Sequence, residues 1–486
     1  MSPRGLSETR AAGPLALSEP LRERLTGRVR LAAAAARRSG HPVLVSVTTP
    51  MPATLDPSAI LLRARRPPDE LVLLEQPARG GHAIGGLGRA AEVRLAGPGR
   101  FREAAARCAA VGRGALVDDP GEDQAAPHGA GPVWLGGFSF APDGGWAPEW
   151  SSLGPAGLVL PELGLAREAG EARLTLSALL GPDDDPDAVL ERLERRAESL
   201  ASASMPLLDP DPVDAPRVAG AAPPEHYEAA VARAVEHIAA GELSKVVLAR
   251  EVRVHHRRAI EPGPVFGALR EAFPECCCYL VSTPEAAFLG ASPELLVRRE
   301  GARAQTVALA GTERRSADPA VDAHLGERLR ASEKNREEHA IVARRIERTL
   351  EPVSLWVTAA DEPALVRVQN VQHLATPIRA QLSEPTPVLE VAGLLHPTPA
   401  VGGEPADRAE RLIPALEGLD RGWYAGPVGW TDLGGDGELC VALRCALLRG
   451  PVAHLYAGAG VVADSVPAEE LAETEIKLAA LLPLLS

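Results

Sequence analysis

Leu243-Ser-Lys-Val-Val-Leu-Ala-Arg250 is the stretch on which the reading of this chain turns. Its β-branched run follows an amphipathic segment from His226 to Ala240, so it predicts a strand entered from a helix. Side chains alternate along a strand, which puts Lys245 on the face of Val247 and Ala249, with its ammonium toward apolar neighbours. Desolvation disfavours the charged form, and this is how a lysine becomes a general base near neutral pH. The plain alternative is an edge-strand lysine in solvent. Composition weighs against it: among 486 residues with 51 Lys plus Arg, the only lysines are Lys245, Lys334 and Lys477. A lysine kept in so arginine-biased a chain invites a chemical reason.

Downstream, Phe288-Leu-Gly-Ala-Ser-Pro-Glu-Leu-Leu-Val297 brackets one carboxylate, Glu294, with apolar residues in a strand-turn-strand pattern. Such a setting raises a carboxyl pKa and suits a general acid, although a capped turn would look the same locally. A helix expected over Ala331 to Leu350 carries Glu337 and Glu338, and one over Pro467 to Leu485 carries Glu470, Glu473 and Lys477 on one face. A solvated face with a salt bridge explains these helices equally well, yet oxygen-only ligands on two helices are also what Mg²⁺ requires. Leu455-Tyr-Ala-Gly-Ala-Gly-Val-Val462 is a strand whose Gly458, Ala459 and Gly460 let backbone approach a ligand. Arg444 offers a fork for a carboxylate.

Upstream the signals are weaker. Gly81, Gly85, Gly86 and Gly88 follow the strand-like 71–74 without the spacing of a dinucleotide loop, and read as a hairpin or turn. A helix is expected over 187–202. Six prolines between Pro206 and Pro224 mark a linker. The expected organisation is an N-terminal arm over 1–30, an N-terminal half over 31–205, a linker over 206–224 and a catalytic half over 225–486. Length alone would suggest about three domains. The proportions, 45% hydrophobic and 24% charged, exclude global disorder and fibrous repeats, and a net charge of −14 offers nucleic acid or an anionic membrane no general attraction. Any anionic ligand must be held by local cations. Cys108, Cys276, Cys277, Cys278, Cys440 and Cys445 form no CxxC pair and read as reduced thiols of a cytoplasmic protein. The N-terminus lacks the apolar core of a secretory signal, and no apolar run is long enough to span a bilayer.

Taken in order, LSKVVLAR, FLGASPELLV, ALAGTERR, SEKNREEH, VQHLATPI, LHPTPAVGGEP, RGWYAGPVGW, GDGELCVALRCA and YAGAGVVADS through AETEIKL resemble the chorismate-utilising enzyme family, most densely from Lys245 to Leu478. GGFSF at Gly136 to Phe140 is similar to the family's N-terminal half. The resemblance implies an α+β fold in which two β-sheets pack as a sandwich with helices outside and the site in the cleft. That would make the linker a join between two halves of one domain. It implies Mg²⁺-dependent conversion of chorismate to isochorismate, for menaquinone or siderophore synthesis, with no glutaminase subunit; nothing in the sequence demands a partner chain, so a monomer is the default expectation. Residue by residue, Lys245 matches the base that activates water for C2 and Glu294 the acid for the departing C4 hydroxyl. Glu338 and Glu473 match the metal ligands, with Glu337 and Glu470 behind them or acting through water. Arg444, Tyr424, Lys477 and the Gly458, Ala459 and Gly460 backbone match positions that hold the carboxylates. Gly311 and Thr312 fall in the AGT turn, and His373 matches a histidine beside the ring-bearing carboxylate. Ala400 stands where salicylate-forming relatives tend to have Thr, which favours stopping at isochorismate. Asn335 departs from the family's usual Asp. Salicylate formation, or chorismate binding without turnover, are the alternatives.

Overall fold

The computed structural model describes residues 17–118, 126–209, 215–368 and 371–485. It contains the strand expected at Lys245, running to His255, and that strand lies near one edge of a large sheet. Among the described residues thirteen strands form this sheet and ten form a second. All their pairings are antiparallel except that of Val43–Met51 with Leu116–Asp118. Helices pack outside, which is the α+β sandwich expected from the sequence.

Alternation along the strands divides the core. Tyr279, Phe288, Cys445 and Tyr456 turn inward to the space between the sheets. Their neighbours Cys278, Leu289, Ala446 and Leu455 meet the helices Glu19–Ser39, Pro186–Glu198 and Pro262–Ala272 on the outer face.

Both halves of the chain build both sheets. Leu71–Gln76 pairs with Cys277–Ser282 in the large sheet, and Val133–Phe138 with Pro427–Asp432 in the small one. The Pro-rich segment adds a short strand, Arg217–Gly220, at the edge beside Lys245–His255; residues 210–214 lie outside the described part. Gly85 and Gly86 belong to a hairpin, with His82–Leu87 paired to Leu71–Gln76.

Several expected boundaries shift. The helix Glu19–Ser39 runs through residue 30, because its buried stripe Leu21, Leu25, Val29, Ala32, Ala36 continues without a break. The helix expected from Ala331 starts at Glu333, since Ser332 leaves helical geometry and its hydroxyl accepts from the Asn335 amide. The helix expected to reach Leu485 ends at Leu478, and a 3₁₀ turn, Leu482–Leu484, with Pro483 inside it, follows. The helix expected over 187–202 spans Pro186–Glu198.

Candidate active site

Two of the corners at which the chain passes from one sheet to the other lie side by side. The first is Ser292-Pro293-Glu294-Leu295, between Ala287–Ser292 of the large sheet and Leu295–Glu300 of the small one. The second is Val441-Ala442-Leu443-Arg444-Cys445, between Gly437–Val441 and Cys445–Arg449. They are laced together: the Val441 amide donates to the Glu294 carbonyl at 3.0 Å and the Ala291 amide to the Arg444 carbonyl at 3.1 Å. The Ser292 hydroxyl donates to the Val441 carbonyl at 2.5 Å. Glu294 and Arg444 therefore come from the rigid hinge line of the sandwich and line one cleft between the sheets.

Lys245 enters the same cleft from the large sheet. Gly460 and Gly458 of the neighbouring strand share its face, opposite Val247 and Ala249. A Cβ at Gly460 would overlap Glu338 Oε1, and one at Gly458 would lie 2.7 Å from the Leu248 carbonyl oxygen. Bare backbone is thus required where the helix Glu333–Leu350 brings its carboxylate to the sheet. The expectation that Lys245 meets only apolar neighbours is corrected here: its Nζ, although buried, lies 3.0 Å from Glu338 Oε1. From the helix Pro467–Leu478, Lys477 donates to the Gly458 carbonyl at 2.8 Å and pairs with Glu473 at 2.8 Å.

Electrostatics separates the two corners. Burial pushes the Glu294 carboxyl up to about 7, against the opposing pull of Lys245 and then Lys477, with the nearby Thr398 hydroxyl the weakest influence. Arg444 Nη2 donates to His373 Nε2 at 2.8 Å, while His373 Nδ1 donates to the Gly311 carbonyl at 3.1 Å. A guanidinium cannot accept, so this histidine is neutral with its proton on Nδ1. Burial, and then Arg444, hold its pKa down at about 3. The Gly311 carbonyl is turned toward it by a bulge between Ala310 and Thr312, which Gly311 serves at φ +74°. Arg444 itself has φ +47°, a conformation sparsely used outside glycine, and its Nη1 is buried without a partner. Strain and an unmet donor at one arginine are the marks of a group reserved for a ligand.

The cleft brings together Lys245, Glu294, Gly311, Thr312, Glu338, His373, Ala400, Tyr424, Arg444, Gly458, Gly460, Glu473 and Lys477 from the sequence-based set. Three of that set lie outside its lining. Ala459 is buried on the opposite face of its strand, as alternation demands, and Glu337 is exposed. Glu470 is buried and bound to Lys334 at 3.0 Å, its pKa raised by burial and then by Glu473. Lys334 thereby finds a partner across helices rather than Glu338 on its own. Asn335 Nδ2 donates to the Ser332 hydroxyl at 2.9 Å, and its side chain sits against Gly311.

The lining also includes residues that sequence reasoning did not single out, among them Pro293, Val247, Val401 and Tyr456. Their proximity to the motifs was the available signal. Two carboxylates, Glu338 and Glu473, face the cleft with hard oxygen donors, and the side-chain-free strand at Gly460 leaves space beside them. This donor set fits Mg²⁺. Elsewhere Glu149, Glu251 and His454 also converge. There the Arg253 fork holds both oxygens of Glu251, at 2.7 and 3.0 Å, whereas at Glu338 and Glu473 a lysine meets Oε1 alone.

A buried lysine, a carboxyl whose pKa burial raises to about 7 and an arginine with one unpartnered arm in one cleft define an acid–base enzyme for a small anionic substrate. The comparisons give that class its family: the chain belongs to the chorismate binding enzymes, whose model matches residues 30–486. It is 40% identical over 362 residues to the salicylate biosynthesis isochorismate synthase of Pseudomonas aeruginosa, covering 73% of this chain and 74% of that one. It is 35% identical to the isochorismate synthase MenF of Bacillus subtilis, over 74% of this chain and 75% of that one. Among solved structures, the menaquinone-specific isochorismate synthase MenF of Escherichia coli matches with a TM-score of 0.75 at 27% identity, over 94% of this chain and all of that one.

Proposed function

We propose that this protein is an isochorismate synthase. The observation that carries the reading is the convergence of Lys245, from a strand, and Glu294, from a corner between the sheets, on one cleft walled by Arg444 and Lys477. Chorismate is a dianion, and this acidic chain meets it with Arg444, Lys477 and backbone amides. One arm of Arg444 is fixed by neutral His373, which leaves Nη1 to grip a carboxylate.

Lys245 takes a proton from water as its oxygen bonds to C2. The ring double bond shifts, the C4–O bond breaks, and Glu294 delivers a proton so that the hydroxyl leaves as water. One water enters and one departs, so the product is an isomer. Each proton transfer contributes about 10²- to 10⁴-fold. Glu338 and Glu473 would hold Mg²⁺, which supplies positive charge against the C1 carboxylate when bound. The enzyme acts without a glutaminase subunit, as a monomer, and its product feeds menaquinone or siderophore synthesis, as the names of its relatives suggest. Among the described residues no helix is long and apolar enough to cross a membrane.

Incubating the pure protein with chorismate and Mg²⁺ and resolving the products by chromatography tests this. Isochorismate is expected. Salicylate with pyruvate would assign the chain to the lyase branch, and no product between about pH 6 and 9 would refute the reading.

A further inference from the structure

The strand that carries Lys245 has a gap along its outer edge. Gly403–Glu404 pairs with it at Lys245 and Val246, and Arg217–Gly220 pairs with it from Val252 to His255. Between those partners no strand lies alongside among the described residues, and the Val247 amide donates to the Gly402 carbonyl at 2.7 Å. The Val247 carbonyl accepts from Arg421 Nη2 at 2.8 Å, and the Ala249 amide donates to Glu417 Oε1 at 2.7 Å. The two side chains are themselves joined, with Arg421 Nε donating to Glu417 Oε2 at 3.0 Å. An ion pair thus takes the place of a strand segment, offering one acceptor and one donor at the strand's edge.

Arg421 does more than fill the gap. Its Nη1 donates to the Val401 carbonyl at 2.8 Å, and its guanidinium lies 4.2 Å from the centroid of the Phe140 ring. The Tyr424 amide donates back to the Arg421 carbonyl at 2.9 Å. The buried side chain therefore ties the Lys245 strand at Val247 to the loop bearing Ala400 and Val401, while the main chain of the same residue holds Tyr424. Thr398, beside Glu294, lies on that same loop.

A fold needing only stability at this point is usually served as well by apolar packing, because burying two charges carries a desolvation penalty that their attraction only partly offsets. What an ion pair adds is direction. Four donor–acceptor lines fixed by a planar fork leave the strand and the loop one relative position. The Arg421 side chain donates to none of Arg444, His373 and Lys477; its one hydrogen bond to a residue expected to hold the carboxylates, Tyr424, runs through its main-chain carbonyl, which a substitution of the side chain leaves in place.

We infer that Glu417 and Arg421 are positioning residues for the reaction: the pair sets the distance between the base on the Lys245 strand and the acid beside the Ala400 loop, and leaves substrate capture to other groups. This rests on the proposed isochorismate synthase activity, and the two fail separately. An inactive wild type would overturn the activity, whereas the inference is read from variants relative to an active wild type.

The test uses Arg421→Lys, which keeps the charge but cannot span both carbonyls, and Glu417→Gln, which keeps an acceptor for Ala249 but sets an amide against the Arg421 fork. Both are made in the full chain. We expect kcat to fall about ten- to a hundredfold, the range for small misplacement of reacting groups. KM for chorismate should stay within about threefold of wild type, and the thermal midpoint should show a folded protein. A lower thermal midpoint with kcat per folded enzyme within about twofold of wild type would make the pair merely structural and overturn the inference. So would a rise in KM that matches the fall in kcat/KM, or failure of both variants to fold.

Discussion

The two adjacent corners that bear Glu294 and Arg444 are built alike and differ in charge. Each carries one ionisable side chain into the same cleft, and each is held by hydrogen bonds to the other. Glu294 comes from the corner where burial outweighs the pull of Lys245 and Lys477, so its carboxyl is pushed to about 7 and keeps its proton below that pH. Arg444 comes from the corner where the backbone is strained at φ +47° and a neutral histidine occupies one arm while the other has no partner. One corner is arranged to give up a proton, the other to grip an anion. Chemistry and binding are thus separated by a few residues on one rigid line, and mutations should separate them too.

The sharpest break is at the first corner and the base it faces. Glu294→Gln and Lys245→Ala should each lower kcat by about 10²- to 10⁴-fold while circular dichroism shows an intact fold. Wild-type turnover in either would dissolve the acid–base assignment. At the second corner the loss should fall on binding instead. Arg444→Met removes charge-assisted hydrogen bonds, and KM for chorismate should rise about ten- to a hundredfold with a smaller change in kcat. An unchanged KM would take the arginine out of substrate capture. Glu473→Gln should next shift the Mg²⁺ dependence of turnover to higher concentration, and a superimposable metal titration would remove it from the ligand set.

The smallest effect sharpens the comparison through pH. Glu294 must be protonated to act, so kcat should fall as pH rises through about 7. Stability follows the same sign. Its folded pKa lies above the ordinary carboxyl value, so the stabilisation is complete at low pH and is lost as pH rises through about 7. Glu294→Gln has no such loss, and its thermal midpoint should gain on wild type between about pH 5 and 8. Parallel curves for the two proteins would mean that burial does not outweigh the pull of the two lysines.

Much of this site was legible in the sequence because its chemistry sits in short local motifs. Glu294 between Pro293 and Leu295, and Arg444 before Cys445, show residue types out of keeping with their apolar surroundings. The sandwich was legible only through the resemblance, since Leu71–Gln76 pairs with Cys277–Ser282 across some two hundred residues and nothing local records it. The same holds for ion partners. Lys334 lies on the Glu338 helix but bonds to Glu470 on another, and nothing local in the sequence marks Glu417 with Arg421 as the pair that fills the gap beside Lys245. Ala459 shows the opposite failure: a motif was taken whole, where alternation allows only Gly458 and Gly460 to face the cleft.

The central claim is that Lys245 directs a solvent water to C2 while Glu294 expels the C4 hydroxyl. Turnover of chorismate in ¹⁸O-enriched water, followed by mass spectrometry of the first-formed isochorismate, tests it most directly. One ¹⁸O atom in the C2 hydroxyl, acquired at the solvent's enrichment, is the predicted result. Isochorismate carrying no label would mean that the original hydroxyl migrates, and would contradict the roles given to both residues.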